Sequence, residues 1–169
     1  MVATPHAGEI AKTRDGDYEV CPKATTASSA MAPGIVNNQP VAGGNWAACS
    51  AGNFGRFGVI TDEALTNVDG DSTFQNLTGP GAEVYVTFSN TNTVKGGQFV
   101  VADNSGKVKG YTEAAVTATP SQADELLALR EFLKLIGTYR GKDESEGSGL
   151  DKPATDITNA VGRIRLGRY

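Results

Sequence analysis

The fold that we expect for this chain is decided by one stretch, Gln98-Phe99-Val100-Val101-Ala102-Asp103-Asn104-Ser105-Gly106-Lys107-Val108-Lys109-Gly110-Tyr111. Two short runs with apolar side chains, Gln98–Ala102 and Lys107–Tyr111, flank a connection of turn-forming residues. Gly106 can take the left-handed backbone conformation that a short connection of this kind needs. The stretch therefore predicts a β-hairpin and makes a mainly β fold the first hypothesis.

Three further segments are predicted to be strands. Ala82–Ser89 alternates valine and phenylalanine with more polar residues, which is the pattern of a strand with one buried face. Arg56–Thr61 has the composition of a strand, and Asn159–Tyr169 is a strand that carries arginines on one face. Short strands between glycine-rich turns predict a small antiparallel β-barrel or sandwich.

One α-helix is predicted at about residues 120–136. Thr119 is a suitable N-cap, Pro120 stands at the first helical position, and Gln122 completes a capping box. Apolar residues then recur at spacings of three and four: Leu126, Leu129, Leu133 and Ile136. We expect the helix to pack over an end of the β-domain through this stripe.

The first fifty residues differ from the rest in composition. They are poor in large apolar side chains, so the sequence predicts an extended N-terminal arm, residues 1–50, followed by a β-domain, residues 51–169. Within the arm, Gly8–Ala11 and Asp17–Cys21 are expected to form a short hairpin. Trp46 is expected to anchor the arm to the core and is a candidate contact for a partner.

Composition restricts the class of protein. The chain of 169 residues has 21 glycines and a formal net charge of −4, which argues against nucleic acid as a partner. No apolar run approaches the roughly 20 residues that a spanning helix needs, so we expect no membrane partner. Met1–Val20 has no apolar run typical of a secretion signal, and we expect synthesis in a cytoplasm.

Residues with catalytic or metal-binding chemistry are few. His6 is the only histidine, and a His6–Cys49 dyad in the arm would lack rigid support. Asn67–Ser72 resembles a calcium loop but lacks the required glycine and glutamate, so a polar turn is the preferred interpretation and cation binding the alternative. Cys21 and Cys49 are expected to be two buried thiols, with one disulfide as the alternative. We therefore expect no enzyme, no cofactor and no metal.

Arginines in the last predicted strand form the remaining candidate site. Arg163, Arg165 and Arg168 are expected to pair with carboxylates, either those of the acidic loop Asp143–Glu146 or those of a partner. Binding of phosphate is the less favoured alternative. These three arginines and Trp46 are the candidate partner contacts.

Three segments resemble the capsid decoration (cement) proteins of tailed bacteriophages. Val94–Val108 is similar to the family's hairpin, Leu135–Thr138 to the segment that follows it, and Val161–Leu166 to the terminal strand. Gly97 stands where the family often has aspartate, and the predicted helix is longer than the usual connection. The resemblance implies a non-enzymatic virion protein on the capsid exterior, made in the host cytoplasm, that binds the major capsid protein and stabilises its contacts.

The same resemblance leaves the assembly open. A homo-oligomer at a capsid symmetry axis is one possibility that it implies. A tail-tube or head-completion protein also combines a β-barrel with one helix, and a small ligand-binding β-barrel is the alternative from a different class.

Overall fold

The computed structural model describes residues 5–12, 18–22, 32–62, 73–89, 93–112, 121–141, 155–156 and 161–167. The secondary-structure elements in these ranges are β1 (Ile10–Lys12), β2 (Tyr18–Pro22), β3 (Val36–Gln39), β4 (Ala47–Ala48), β5 (Arg56–Val59), β6 (Thr73–Leu77), β7 (Glu83–Thr87), β8 (Thr93–Val94), β9 (Phe99–Ala102), β10 (Val108–Gly110), α1 (Gln122–Phe132), β11 (Leu135–Tyr139), β12 (Thr155–Asp156) and β13 (Val161–Leu166). The fold is therefore mainly β with one α-helix, as the sequence predicts.

The strands form two main antiparallel sheets. The larger sheet has the order β1-β7-β13-β11-β9-β10, and the smaller has the order β2-β6-β5-β3-β4. A short two-stranded sheet pairs β8 with β12. The described strands do not close into a barrel, so of the two predicted architectures the chain adopts the sandwich.

The hydrophobic core draws side chains from both sheets. Val36, Val59 and Leu77 of the smaller sheet belong to the same buried cluster as Val84 and Ile164 of the larger sheet. The edge-to-face contact of Phe88 with Tyr139, whose ring centroids are 5.5 Å apart, belongs to that cluster too. Burial of this apolar surface between the sheets is the main stabilising contribution.

The hairpin predicted at residues 98–111 is confirmed. β9 and β10 pair antiparallel, with Val108 opposite Ala102 and Gly110 opposite Val100. A single 3₁₀ turn, Asn104–Gly106, connects them. Gly106 takes the expected left-handed conformation with φ of 71°, and Ser105 joins it with φ of 59°.

The described part of residues 1–50 does not form an extended arm. It contributes four strands: β1 lies at an edge of the larger sheet, and β2, β3 and β4 belong to the smaller one. The predicted hairpin of Gly8–Ala11 with Asp17–Cys21 is wrong, because β1 pairs with β7 whereas β2 pairs with β6. Backbone hydrogen bonds to neighbouring strands order these segments although few of their side chains are both large and apolar.

The helix is shorter than predicted and differs at both ends. Ser121 is the N-cap of α1 and forms a capping box with Asp124, whereas Thr119 and Pro120 lie outside the described residues. The helix ends at Phe132, and Ile136 lies in strand β11, where it is buried. No residue of α1 is buried, so the expectation that its apolar stripe packs into the core is wrong.

Candidate interaction surface

Exposed large apolar side chains concentrate in one region of the described chain. Seven such side chains are exposed: Val20, Val41, Phe54, Leu126, Leu127, Leu129 and Phe132. All of them except Val20 lie on three segments, namely the turn at residues 40–45, the loop at residues 50–55 and helix α1. We call these six side chains the apolar end.

The three segments of the apolar end meet at Gly55. The Gly55 N–H donates a hydrogen bond to the carbonyl of Leu133, directly after α1, at 3.3 Å. Gly55 has φ of 127°, and a methyl group on its Cα would lie 2.4 Å from the carbonyl oxygen of Gln39. Only glycine permits this approach, so the backbone holds the turn, the loop and the helix together.

A buried amide reinforces this junction. Asn38 is buried, and its Nδ2 donates hydrogen bonds to the carbonyl oxygens of Phe54, at 3.2 Å, and Arg56, at 3.1 Å. Because a buried amide is costly to leave without partners, these bonds fix the path of the loop that carries Phe54. The apolar end is therefore presented on an ordered backbone.

Helix α1 is stabilised at each end by polar contacts. At its start the Ser121 N–H donates to the Asp124 carboxylate at 2.8 Å, and this backbone hydrogen bond lowers the pKa of Asp124. Near its end Glu131 forms an ion pair with Lys134. Between these contacts Leu126 is 64% exposed and Leu129 is 65% exposed. The capping box and the ion pair stabilise the helix, and its leucines remain exposed to solvent.

A cleft lies beside the last turn of α1. It has a volume of about 350 Å³, and Tyr111, Lys109, Glu131 and Lys134 are among its lining residues. Lys109 lies 3.5 Å from the Asp103 carboxylate, and Lys134 pairs with Glu131. Since the charges of the cleft already pair with one another, they do not converge on a ligand as those of a specific small-molecule site do.

Trp46, predicted to anchor the arm and to contact a partner, is a core residue. Its side chain is 1% exposed and belongs to a second buried cluster with Cys21, Ile60 and Phe74. The Arg56 guanidinium carbon lies 5.5 Å from the centroid of its ring. Since the described part of residues 1–50 belongs to the sheets, Trp46 anchors no separate arm, and the fold buries the ring that a partner would have to reach.

The structure describes two of the three predicted contact arginines, and these two differ in burial. Arg163 is 9% exposed, and its Nε lies 3.7 Å from the Glu83 carboxylate, which Arg140 approaches at 3.8 Å. Arg163 thus pairs with a carboxylate of its own chain, although Glu83 is not in the predicted acidic loop. Arg165 is half-buried and lies opposite Glu83 in the register of β13 with β7. Arg168 and residues 143–146 lie outside the described residues.

His6 and Cys49 do not form a dyad. His6 hydrogen-bonds to Asp62 through Nε2, and its Nδ1 lies 3.2 Å from Glu9. The Cys49 thiol lies 3.5 Å from the carbonyl oxygen of Asp103, and burial raises its pKa to about 12. Both Cys49 and Cys21 are free and buried, as the preferred interpretation of the sequence predicts. A thiol of so high a pKa is not a nucleophile near neutral pH.

The described part of the chain contains neither a metal-binding cluster of side chains nor a helix that could cross a membrane. Within it, no three His, Cys, Asp or Glu side chains are grouped so that they could hold a metal ion. The calcium-like segment Asn67–Ser72 lies outside the described residues. No helix in the described ranges has the length and apolar character needed to cross a membrane.

Sequence reasoning recognised part of the apolar end but assigned it wrongly. The leucine spacing of α1 was visible, but spacing alone cannot tell a core-facing stripe from a partner-facing one. No sequence pattern around Val41 and Phe54 predicts an interaction surface, because the tertiary contact at Gly55 is what brings their segments to the helix. Comparison with known proteins gives no match to a family model, to a curated protein or to a solved structure.

Proposed function

We propose that this protein is a virion structural protein of the capsid decoration (cement) class. In this role it binds the outer surface of an icosahedral head and stabilises contacts between major capsid protein subunits. The observation that carries the proposal is the apolar end, a surface that suits docking rather than chemistry. The resemblance of Val94–Val108, Leu135–Thr138 and Val161–Leu166 to decoration proteins selects the capsid as the partner.

The energetics of the apolar end suit a protein partner. The apolar end gathers six exposed apolar side chains on segments that meet at Gly55, and burying one large apolar side chain contributes about 1.5–3 kcal/mol. The hydrogen bonds at Gly55 and Asn38 fix the backbone beforehand, so little conformational entropy is lost on docking. A modest affinity per copy is enough, because a capsid repeats the same contact over its whole surface.

We assign the capsid contact to the two loops of the apolar end, through Val41 and Phe54. Arg56, which follows the second loop, already forms an ion pair with Glu19. A capsid subunit would therefore meet two apolar side chains beside a charge that needs no new partner. This arrangement limits the desolvation cost of docking.

The test is addition of the purified chain to empty, expanded capsids of the virus that encodes it. Occupancy is measured by co-sedimentation, and capsid stability by the temperature at which the shells open. The wild-type chain is expected to bind and to raise that temperature. The double variant Val41→Ser/Phe54→Ser is expected to bind at least about tenfold more weakly, since two apolar contacts are lost.

Val20→Ser is the matched control, because Val20 is 61% exposed but lies on β2, outside the apolar end. Its occupancy should equal that of the wild-type chain. A wild-type chain that does not bind capsids, or an equal loss with Val20→Ser, would contradict the proposal. Rings or tubes formed by the purified chain alone would favour the tail-tube alternative instead.

A further inference from the structure

We propose that helix α1 associates with α1 of a second copy of this chain, with the two helices parallel. The starting observation is that every residue from 122 to 130 is exposed, so a neighbouring helix can approach this part of α1. Partial coverage by the rest of the chain begins at Glu131, in the last turn, and continues at Leu133 and Lys134, directly after α1. A surface helix of a sandwich normally covers a sheet with its apolar stripe, whereas this one directs its leucines to solvent.

The apolar residues of α1, together with its C-cap Leu133, have the spacing of a coiled-coil seam. Leu126, Leu129 and Leu133 are separated by three and four residues, which places them at successive a, d and a positions of a heptad. Leu126 and Leu129 are the exposed members, and Leu133 is half-buried at the base of the helix. A second helix can therefore insert its leucines against the same stripe.

The charges beside this seam identify the occupant and its direction. Glu125 lies directly before Leu126, at a g position, and Arg130 lies directly after Leu129, at an e position five residues after Glu125. In a parallel pair of helices, a residue at g faces the residue at the following e position of the other helix. Two copies of α1 thus place Glu125 of each helix beside Arg130 of the other, giving two ion pairs by symmetry.

An antiparallel arrangement would reverse this outcome. It would place the g flank of one helix against the g flank of the other, and the e flank against the e flank. Glu125 and Arg130 would then lie on opposite sides of the seam, and neither ion pair would form. The sequence of α1 is therefore complementary to itself in one orientation only.

The association is expected to be weak and to depend on concentration. α1 has 11 residues, about one and a half heptads, so the contact is small. Its capping box and the Glu131–Lys134 pair form the helix beforehand, so association needs no folding step. We expect a dissociation constant on the order of 100 µM. Copies held close together on a lattice would have a local concentration above this value and would therefore associate.

The test is sedimentation equilibrium of the full chain from about 10 µM to about 1 mM, a range chosen to bracket that constant. The wild-type chain should show a mass that rises with concentration. Leu129→Glu should remain monomeric throughout, whereas the control Val20→Ser should behave as the wild-type chain does. Circular dichroism of each variant verifies that the fold is retained.

Charge reversal tests the parallel register. Glu125→Arg and Arg130→Glu should each weaken self-association by about three- to tenfold, because both ion pairs become like-charge contacts. An equimolar mixture of the two variants should recover wild-type association, since each helix then meets the opposite charge. Loss of helix stability in a variant would persist in the mixture, so recovery reports the contact between copies.

Three results would overturn this inference. They are a wild-type chain that is monomeric at 1 mM, association that survives Leu129→Glu, and single reversals that associate as strongly as the wild-type chain. The inference does not rest on the capsid proposal. Leu129→Glu leaves Val41 and Phe54 intact and should still bind capsids, so failure of one proposal is distinguishable from failure of the other.

Discussion

At the scale of single residues, Gly137 is required where β11 lies against the backbone of β13. A methyl group on its Cα would lie 2.0 Å from the carbonyl oxygen of Arg165, a backbone atom that cannot move without disturbing the sheet. We predict that Gly137→Ala lowers the free energy of unfolding by about 2–4 kcal/mol, measured by urea denaturation.

Gly43 provides the matched control for Gly137. It has φ of 81°, but nothing lies within 4 Å of the position that its Cβ would occupy. Gly43→Ala should therefore cost only the strain of the left-handed conformation, about 1 kcal/mol. Equal losses of stability in the two variants would show that β11 can move away from β13.

Cys49 makes stability depend on pH at the alkaline end. Burial raises the pKa of its thiol from 9.0 to about 12, so the folded chain favours the neutral form more than the unfolded chain does. This contribution is complete below pH 9 and is lost as the pH rises from 9 toward 12. Between about pH 8 and 10.5, the free energy of unfolding should fall more steeply for the wild-type chain than for Cys49→Ala. Parallel slopes would contradict the prediction.

At the scale of elements, α1 is a helix that forms without packing its leucines into the core. Leu129 is 65% exposed, whereas Ile164 of β13 is fully buried. Leu129→Ala should change the free energy of unfolding by less than about 0.5 kcal/mol, and Ile164→Ala should lower it by about 2–5 kcal/mol. Urea denaturation of the isolated chain at low concentration measures both. A large loss with Leu129→Ala would mean that the leucine stripe is covered within the chain.

The elements also show which parts of the fold the sequence could predict. The strands at 83–87, 99–102, 108–110 and 161–166 were recognisable, because alternation and turn residues are local properties. The partners of β1 and β2 were not, since pairing with β7 and β6 joins residues far apart in the sequence. Local composition made residues 1–50 look unable to order, whereas the sheets supply the partners.

For the candidate site the sequence was less informative. The residue types of Trp46 and Arg163 predict partner contacts, but a large aromatic ring is equally suited to a core, and an arginine to an internal ion pair. The spacing of the leucines in α1 predicts a helix with a stripe that faces the core, whereas these leucines are exposed to solvent. Val41 and Phe54 acquire their role only from the junction at Gly55.

At the scale of the whole molecule, removal of the first residues should abolish folding. A chain that begins at residue 45 lacks β1, β2 and β3, which belong to both main sheets. It loses the buried side chains of Cys21 and Val36 and leaves β5, β6 and β7 with unpaired edges. We predict that this variant shows no cooperative thermal unfolding transition. A cooperative transition close to that of the full chain would restore the extended-arm hypothesis.

The position of β7 has a consequence for how the molecule is made. Its two neighbours in the sheet are β1 and β13, the first and the last of the described strands. While the chain is being synthesised, β7 can therefore recruit β1 early but must wait for its other neighbour until residues 161–166 have left the ribosome. Folds built on such distant pairings form slowly, on a scale of milliseconds to seconds. During that interval the nascent chain exposes a bare strand edge, and chaperones or neighbouring chains can compete for it.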